Sequence, residues 1–428
     1  MDLMEKGWLQ KHIEDRNYNF SFSESDEIDE EKLIYKIFQP TGILYGHPIK
    51  LHIPNELNLE DWSINERIKI IFADCSLFTN LNTHVNIINQ GDIWNIENSI
   101  EDIVKFYQEL NPRLRYSTFF LLRNTPNNHK LEKIFDKRVV VKAKWNLNFW
   151  QGFFQNILLF SDILIMLRYI SEKNIEIIKS EHIKLNTTIL KVIAATAFAD
   201  KEINKSEVKL FNFFVESSNL DDKSGKKARN YMTEKLHLED LGDFDSNTWL
   251  EKKYILELAI ITLWADRSIS EEEENFIKKL AIKMGFDEIE ALNSFIAVES
   301  FVLSNWDKIH YLRAKQNYLL VSQRIVSQLS SIALKYKREL AREMAENKEL
   351  IQLIGKSRVS RLTIEEKEKV RLQLIDILKS IPAFVIIAMP FSFFALPILL
   401  KIIPKSAFPS SFDENKLMER RDSGFISE

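Results

Sequence analysis

Four carboxylates recur in a pattern that could bind a cation. Asp200 and Glu207 reappear 66 residues later as Asp266 and Glu273. Hard cations such as Ca²⁺ or Mg²⁺ need several oxygen ligands at close range. An Asp ending one helix and a Glu opening the next could supply two of them. Glu202 and Glu272 stand close enough in sequence to add more. The same residues also fit a purely structural role. Ser270 with Glu273, and Asn204 with Glu207, have the spacing of capping boxes. Lys201 and Arg267 place a positive charge beside each candidate site and oppose metal binding. Both readings stand: a divalent cation held by Asp200, Glu207, Asp266 and Glu273, or helix caps.

No other set of residues carries chemistry. The histidines are scattered, and His47 and His52 lack the i, i+4 spacing of a helical metal pair. A glycine-rich phosphate loop, a paired-cysteine zinc pattern and a serine elbow are all missing. The expectation is therefore a non-enzymatic protein with no catalytic residues and no organic cofactor. Lys356, Arg358 and Arg361 form a basic linker that could touch anionic head groups or simply be solvated.

The acids sit in an internal repeat. ILKVIAATAFADKEINKSE (189–207) aligns without gaps on ILELAIITLWADRSISEEE (255–273), and seven of the nineteen positions are identical. Each copy reads as an apolar helix, then Ala-Asp-x-x-Ile, then a new helix, which predicts stacked helical hairpins.

The run SIPAFVIIAMPFSFFALPILL, Ser380 to Leu400, has no charge and lies between Lys379 and Lys401. Twenty-one helical residues reach roughly 30 Å, the thickness of bilayer hydrocarbon. A membrane-inserted segment is the leading expectation; the alternative is a buried hairpin broken at Pro390. Pro390, Pro397 and Pro404 recur every seven residues and fall near one helix face. They would free the carbonyls of Ile386, Phe393 and Leu400. This describes either one kinked span or two short helices. Phe149 to Ile170 is also apolar, but Gln151, Gln155, Asn156, Asp162 and Arg168 predict a buried core helix instead.

Ten glycines and ten prolines in 428 residues, with abundant Leu, Ile, Lys and Glu, predict an all-α fold. A small hairpin is expected only in Gly42 to Ile53. A net charge of −4 gives no electrostatic support for DNA binding. The one cysteine, Cys75, suits a reducing compartment. The N-terminus has no signal-peptide core. The predicted layout is a mostly helical domain over 1–180, the repeat over 181–300, a long amphipathic helix and basic linker over 301–362, and a membrane segment and tail over 363–428. Residues 307–356 read as one helix that packs on its own domain or on a partner helix, broken by the basic linker Gly355 to Arg361. Thr363 and Glu366 then cap the helix that leads into the apolar run. This places the protein at a membrane, single-pass near its C-terminus, with the bulk cytoplasmic.

Two stretches resemble known families. The double Ala-Asp-x-x-Ile-x-x-x-Glu repeat resembles the tellurite-resistance TerB-like fold, an all-helical domain. Its members often carry Asp-Gly followed by acids, and some bind divalent cations. Lys201 and Arg267 replace that glycine here. Residues 381–412 resemble the membrane segment of the LETM (leucine-zipper, EF-hand transmembrane) family of the mitochondrial inner membrane. The resemblance is carried by Pro382, Met389-Pro390-Phe391, Leu396-Pro397, Lys401, Pro404 and Phe408-Pro409-Ser410-Ser411-Phe412. It implies a membrane, a ribosome, or cation/proton exchange as the setting, with a protein partner or a second copy. Phe393 stands where that family has an acidic residue. The ribosome-binding helical region that follows the span there is expected to be missing, as the chain ends at Glu428. Bacterial chains with this combination resemble LETM-related, biofilm-associated proteins.

Overall fold

The computed structural model describes residues 6–16, 29–47, 62–87, 94–110, 125–141, 156–199, 205–263, 270–304 and 348–359, with parts of 362–373. All regular structure among them is helical, as expected, with no strand. They form two compact units, one of residues up to 285 and one from 286 onward.

In the first unit, α1 (Trp8–Arg16), α2 (Glu30–Phe38), α3 (Ile64–Ile87), α4 (Ile96–Leu110), α5 (Asn127–Arg138) and α6 (Ser161–Glu172) come first. They lead into α7 (Ile175–Ala197), α8 (Lys205–Ser217), α9 (Asp222–Arg229), α10 (Tyr231–Glu234), α11 (Trp249–Leu263) and α12 (Glu271–Lys283). Helix starts follow local chemistry. Asp29 caps α2, accepting from Glu31 N at 3.0 Å. Ser63 and Glu66 form a reciprocal box at α3, and Asn95 and Asn98 one at α4. Asn174 caps α7 and Asp221 caps α9.

Two helices are buried on every face. Residues 68–80 of α3 are all buried, including Lys69, Asp74 and Asn80. In α11, residues 250–261 are buried except Lys252. Such helices show no apolar stripe because every side packs on something. By contrast, α4 buries Ile100, Ile103, Val104 and Tyr107 along one face. Helix α3 packs on α4 and α6, and α11 packs on α7.

Of the polar residues that argued for a core helix near 149–170, the described ones, Asn156, Asp162 and Arg168, are each answered by a partner. Asp162, in the first turn of α6, accepts from Arg138 Nε at 2.7 Å and Nη2 at 2.9 Å, and from Tyr107 OH at 2.9 Å. Arg168 grips both oxygens of Glu251 at 2.6 Å and reaches Glu181 at 2.9 Å. Asn156 donates to the carbonyl of Arg138 at 2.7 Å and accepts from Ser217 at 2.6 Å. Residues 149–155 lie outside the described residues.

One local expectation is corrected and another is sharpened. Where a hairpin was expected from Gly42, the described part forms 3-10 turns, 39–41 and 43–45. Gly42 and Gly46 are left-handed, at φ +82 and +62, which reverses the chain at each step. A Cβ on Gly46 would come within 2.5 Å of the Asn156 backbone, so tertiary packing as well as φ demands glycine there. The break expected over Gly355 to Arg361 comes after its glycine. In the second unit, α13 (Glu288–Ser304) is followed by α14 (Lys348–Val359), which runs through Gly355. The central part of the predicted 307–356 helix lies outside the described residues.

Replacing Arg138 with Met strands a fully buried carboxylate beside Tyr107 alone. The expected loss is about 3–5 kcal/mol, read as a lower urea midpoint at unchanged slope. A loss under about 1 kcal/mol would show that Asp162 does not depend on that pair.

Candidate functional site

The two repeats fold as helical hairpins, α7 with α8 and α11 with α12. The first helices of the two hairpins pack on each other, and α12 also touches α7. A pocket with about 20 Å³ of internal space lies at their junction. That is room for about one water molecule. Ile193 and Ala197 of α7, Glu207, Leu210 and Phe211 of α8, and Glu273 of α12 line it, with Thr262 and Leu263 of α11.

The fold thus brings together two of the four repeated acids from opposite hairpins. Glu273 is buried and acts as a cap. Its carboxylate accepts from Ser270 N at 2.6 Å, while Ser270 Oγ accepts from Glu273 N at 3.2 Å. Glu207, in the first turn of α8, is half-buried. Glu272 is exposed and does not line the pocket. Asp200, Asp266, Lys201, Arg267, Glu202 and Asn204 lie outside the described residues, as do Arg361 and the membrane-segment positions Pro382, Pro390, Phe391, Pro397, Pro404 and Pro409. Among the described residues, no three His, Cys, Asp or Glu side chains are placed to hold a metal ion. The pocket walls are mostly aliphatic and aromatic, and two carboxylates fall short of the six to eight oxygens Ca²⁺ takes.

The most unusual ionisable group was missed by motif reading. Glu257 of α11 is fully buried. Tyr45 OH donates to it at 2.6 Å and Tyr35 OH donates to its other oxygen. Lys253 Nζ lies 3.8 Å away and over the Tyr35 ring. Burial pushes the Glu257 carboxyl up, opposed by Lys253 and the two phenols. Its signal was a lone acid inside ILELAII, where the first repeat has Lys191. The cluster ties residues 35–45 to α11 across more than two hundred residues.

His182 of α7 is also buried. Its Nε2 has no hydrogen-bond partner among the described residues. Burial holds its pKa down to about 4, helped by Arg138 and opposed by Asp162 and Asp221.

Residues 362–423 match a family model described as LETM1-like, RBD. The match opens beside the Thr363–Glu366 cap, takes in the whole apolar run and continues past Phe412. Similarity to a segment described as RBD therefore falls on the apolar run and the tail. This revises the expectation that such a region is missing. None of the curated proteins and none of the solved structures matches the chain. Among the described residues, no helix is long and apolar enough to cross a membrane; the run 380–400 lies outside them.

Two outcomes test this account. Ser270→Ala removes half of the capping box and should cost about 1 kcal/mol in urea unfolding at neutral pH. No change would mean that Glu273 alone holds the helix start. For His182, the folded-state value of about 4 lies below the ordinary 6.5. The unfolded chain therefore takes the proton first as pH falls. Stability is unaffected above about pH 7, declines below about pH 6.5 and levels off near pH 4, a loss of about 3 kcal/mol. His182→Gln should remove that part of the slope between pH 7.5 and 4.5. Parallel wild-type and variant curves would show that His182 protonates equally in both states.

Proposed function

We propose that the chain is a non-enzymatic, membrane-associated adapter of ribosome-binding type. On this reading, 362–423 carries attachment and the helical unit up to residue 285 serves as a scaffold or sensor. The observation that carries the reading is the match over 362–423. It coincides with an uncharged run of hydrocarbon thickness. The buried polar groups of the first unit support a scaffold role. Asp162, Glu251 and Glu257 are each consumed by internal partners.

The finer picture is a single-pass protein, bulk cytoplasmic, with a TerB-like repeat over 181–300 and a role in envelope or biofilm physiology as a homo-oligomer or with a protein partner. The repeated acids act there as helix caps. A calcium-dependent heat of binding, lost in the double variant Asp200→Ala, Asp266→Ala, would make them ligands instead. Cation/proton exchange is the less favoured alternative, because Phe393 leaves the run without a carboxylate to carry a proton.

Fractionation tests the anchor and sedimentation tests the partner. Full-length protein should pellet with membranes and be released by detergent, whereas a chain lacking 380–404 should stay in the supernatant. Full-length protein in detergent should co-sediment with ribosomes at low salt. Identical behaviour of both chains on fractionation would remove the anchor. Absence of co-sedimentation would remove the ribosome.

A further inference from the structure

Helix α14 precedes the matched stretch, yet it is built into it. Glu349 accepts from Gln373 at 2.9 Å, and Lys356 donates to Glu366 at 2.6 Å. Seven residues separate Glu349 from Lys356 going up α14, and seven separate Gln373 from Glu366 going down the following segment. Both contacts therefore belong to one antiparallel register, two helical turns or about 10 Å apart. Lys369 adds a contact to Glu349 at 2.8 Å, one turn from Gln373. The returning segment is helical at 365–366, 369–370 and 373. It opens at the reciprocal Thr363–Glu366 cap, so Glu366 serves both the cap and the cross-helix pair.

Among the described residues, four apolar side chains are buried here: Leu350, Ile351, Leu362 and Val370. Apolar burial is non-directional, and a slip of one turn would still bury apolar surface. It would separate Lys356 from Glu366. Charge therefore sets the register, as flanking charges do in helical pairs. The pairs are exposed: Lys369 and Glu349 keep 62% and 52% of their side-chain surface. Exposed pairs are individually weak and screened by salt.

We infer that α14 is a salt-sensitive clasp on the matched segment, holding the helix that leads toward the apolar run in one register, so that the working module begins at residue 348 and not at 362. Glu349, Lys356 and Lys369 are positioning residues for whatever the module engages. For that partner the inference rests on the adapter reading; the clasp itself is testable without it.

Hydrogen exchange on the full-length protein reads the clasp directly. Amides of 363–373 should lose protection when salt is raised from about 0.05 to about 0.5 M, as screening shortens. Glu349→Lys should speed their exchange two- to fivefold at low salt, the range that weak exposed pairs allow. Lys356→Glu, at the other end of the register, should do the same. The reversed pair Glu349→Lys with Lys369→Glu should restore protection. Unchanged exchange in both single variants, or no recovery in the reversed pair, overturns the clasp. Ribosome co-sedimentation of the same proteins separates the two ideas. Binding weakened by Glu349→Lys and recovered by the reversed pair supports both. Salt- and charge-dependent exchange without wild-type binding retires the adapter reading and leaves the clasp standing.

Discussion

A carboxylate buried among helices must find its counter-charge in the same core, and Asp162 finds it in Arg138. The geometry suits both backbones. Arg138 closes α5 and Asp162 lies in the first turn of α6, so each charge meets the favourable end of its own helix dipole. Tyr107 brings α4 to the same oxygen as the Arg138 Nε. Asn156 reads the carbonyl of Arg138 and, through Ser217, joins α8. Gly46 packs against the backbone at Asn156 and Ile157. Five segments distant in sequence thus converge on one polar node. At its other end α6 is tied to α11 by Arg168 and Glu251. The position of the repeat hairpins follows from α6 being held at both ends.

Within that frame the two repeat copies have unequal work. Their sequences align without gaps, and both fold as hairpins. Yet α11 is buried nearly all round, while α7 keeps several exposed side chains. The equivalent positions 191 and 257 carry opposite charges in different surroundings. Lys191 lies over the Tyr231 ring near the surface, and Glu257 is enclosed by two tyrosines and a lysine. The junction pocket has room for about a water molecule. One of its two acids is already committed to a helix start. The repeat reads as architecture: it extends a core, and Glu273 marks a helix boundary.

The chain thus divides its tasks by chemistry. Up to residue 285, several charges, Asp162, Glu251 and Glu257 among them, are turned inward and satisfied. From 348 onward, pairs such as Lys369–Glu349 face solvent and respond to salt. Beyond them comes an uncharged run suited to lipid. The proposed adapter role calls for such a division, a folded body and an attachment segment set by weak, adjustable contacts.

Periodicity and capping chemistry were legible in the sequence. Helix starts at Ser270 and Thr363, the hairpin form of each repeat, the buried character of α6 and the all-α class all follow from local rules. Side-chain hydrogen bonds to nearby amides and the 3.6-residue repeat act over a few residues only. The hydrophobic length and proline spacing of 380–404 are equally local. Three things were not legible: the partner of each buried charge, the convergence of Glu207 and Glu273 on one pocket, and the turns at 39–46 in place of a strand. A lone Glu257 in an apolar helix does not announce that Tyr35 and Tyr45 will reach it. Gly355 does not announce that α14 will run through it while Lys356 reaches Glu366. These are meetings of residues far apart in sequence. Only the packed structure decides them, because the cost of an unpaired buried charge depends on what arrives from elsewhere in the chain.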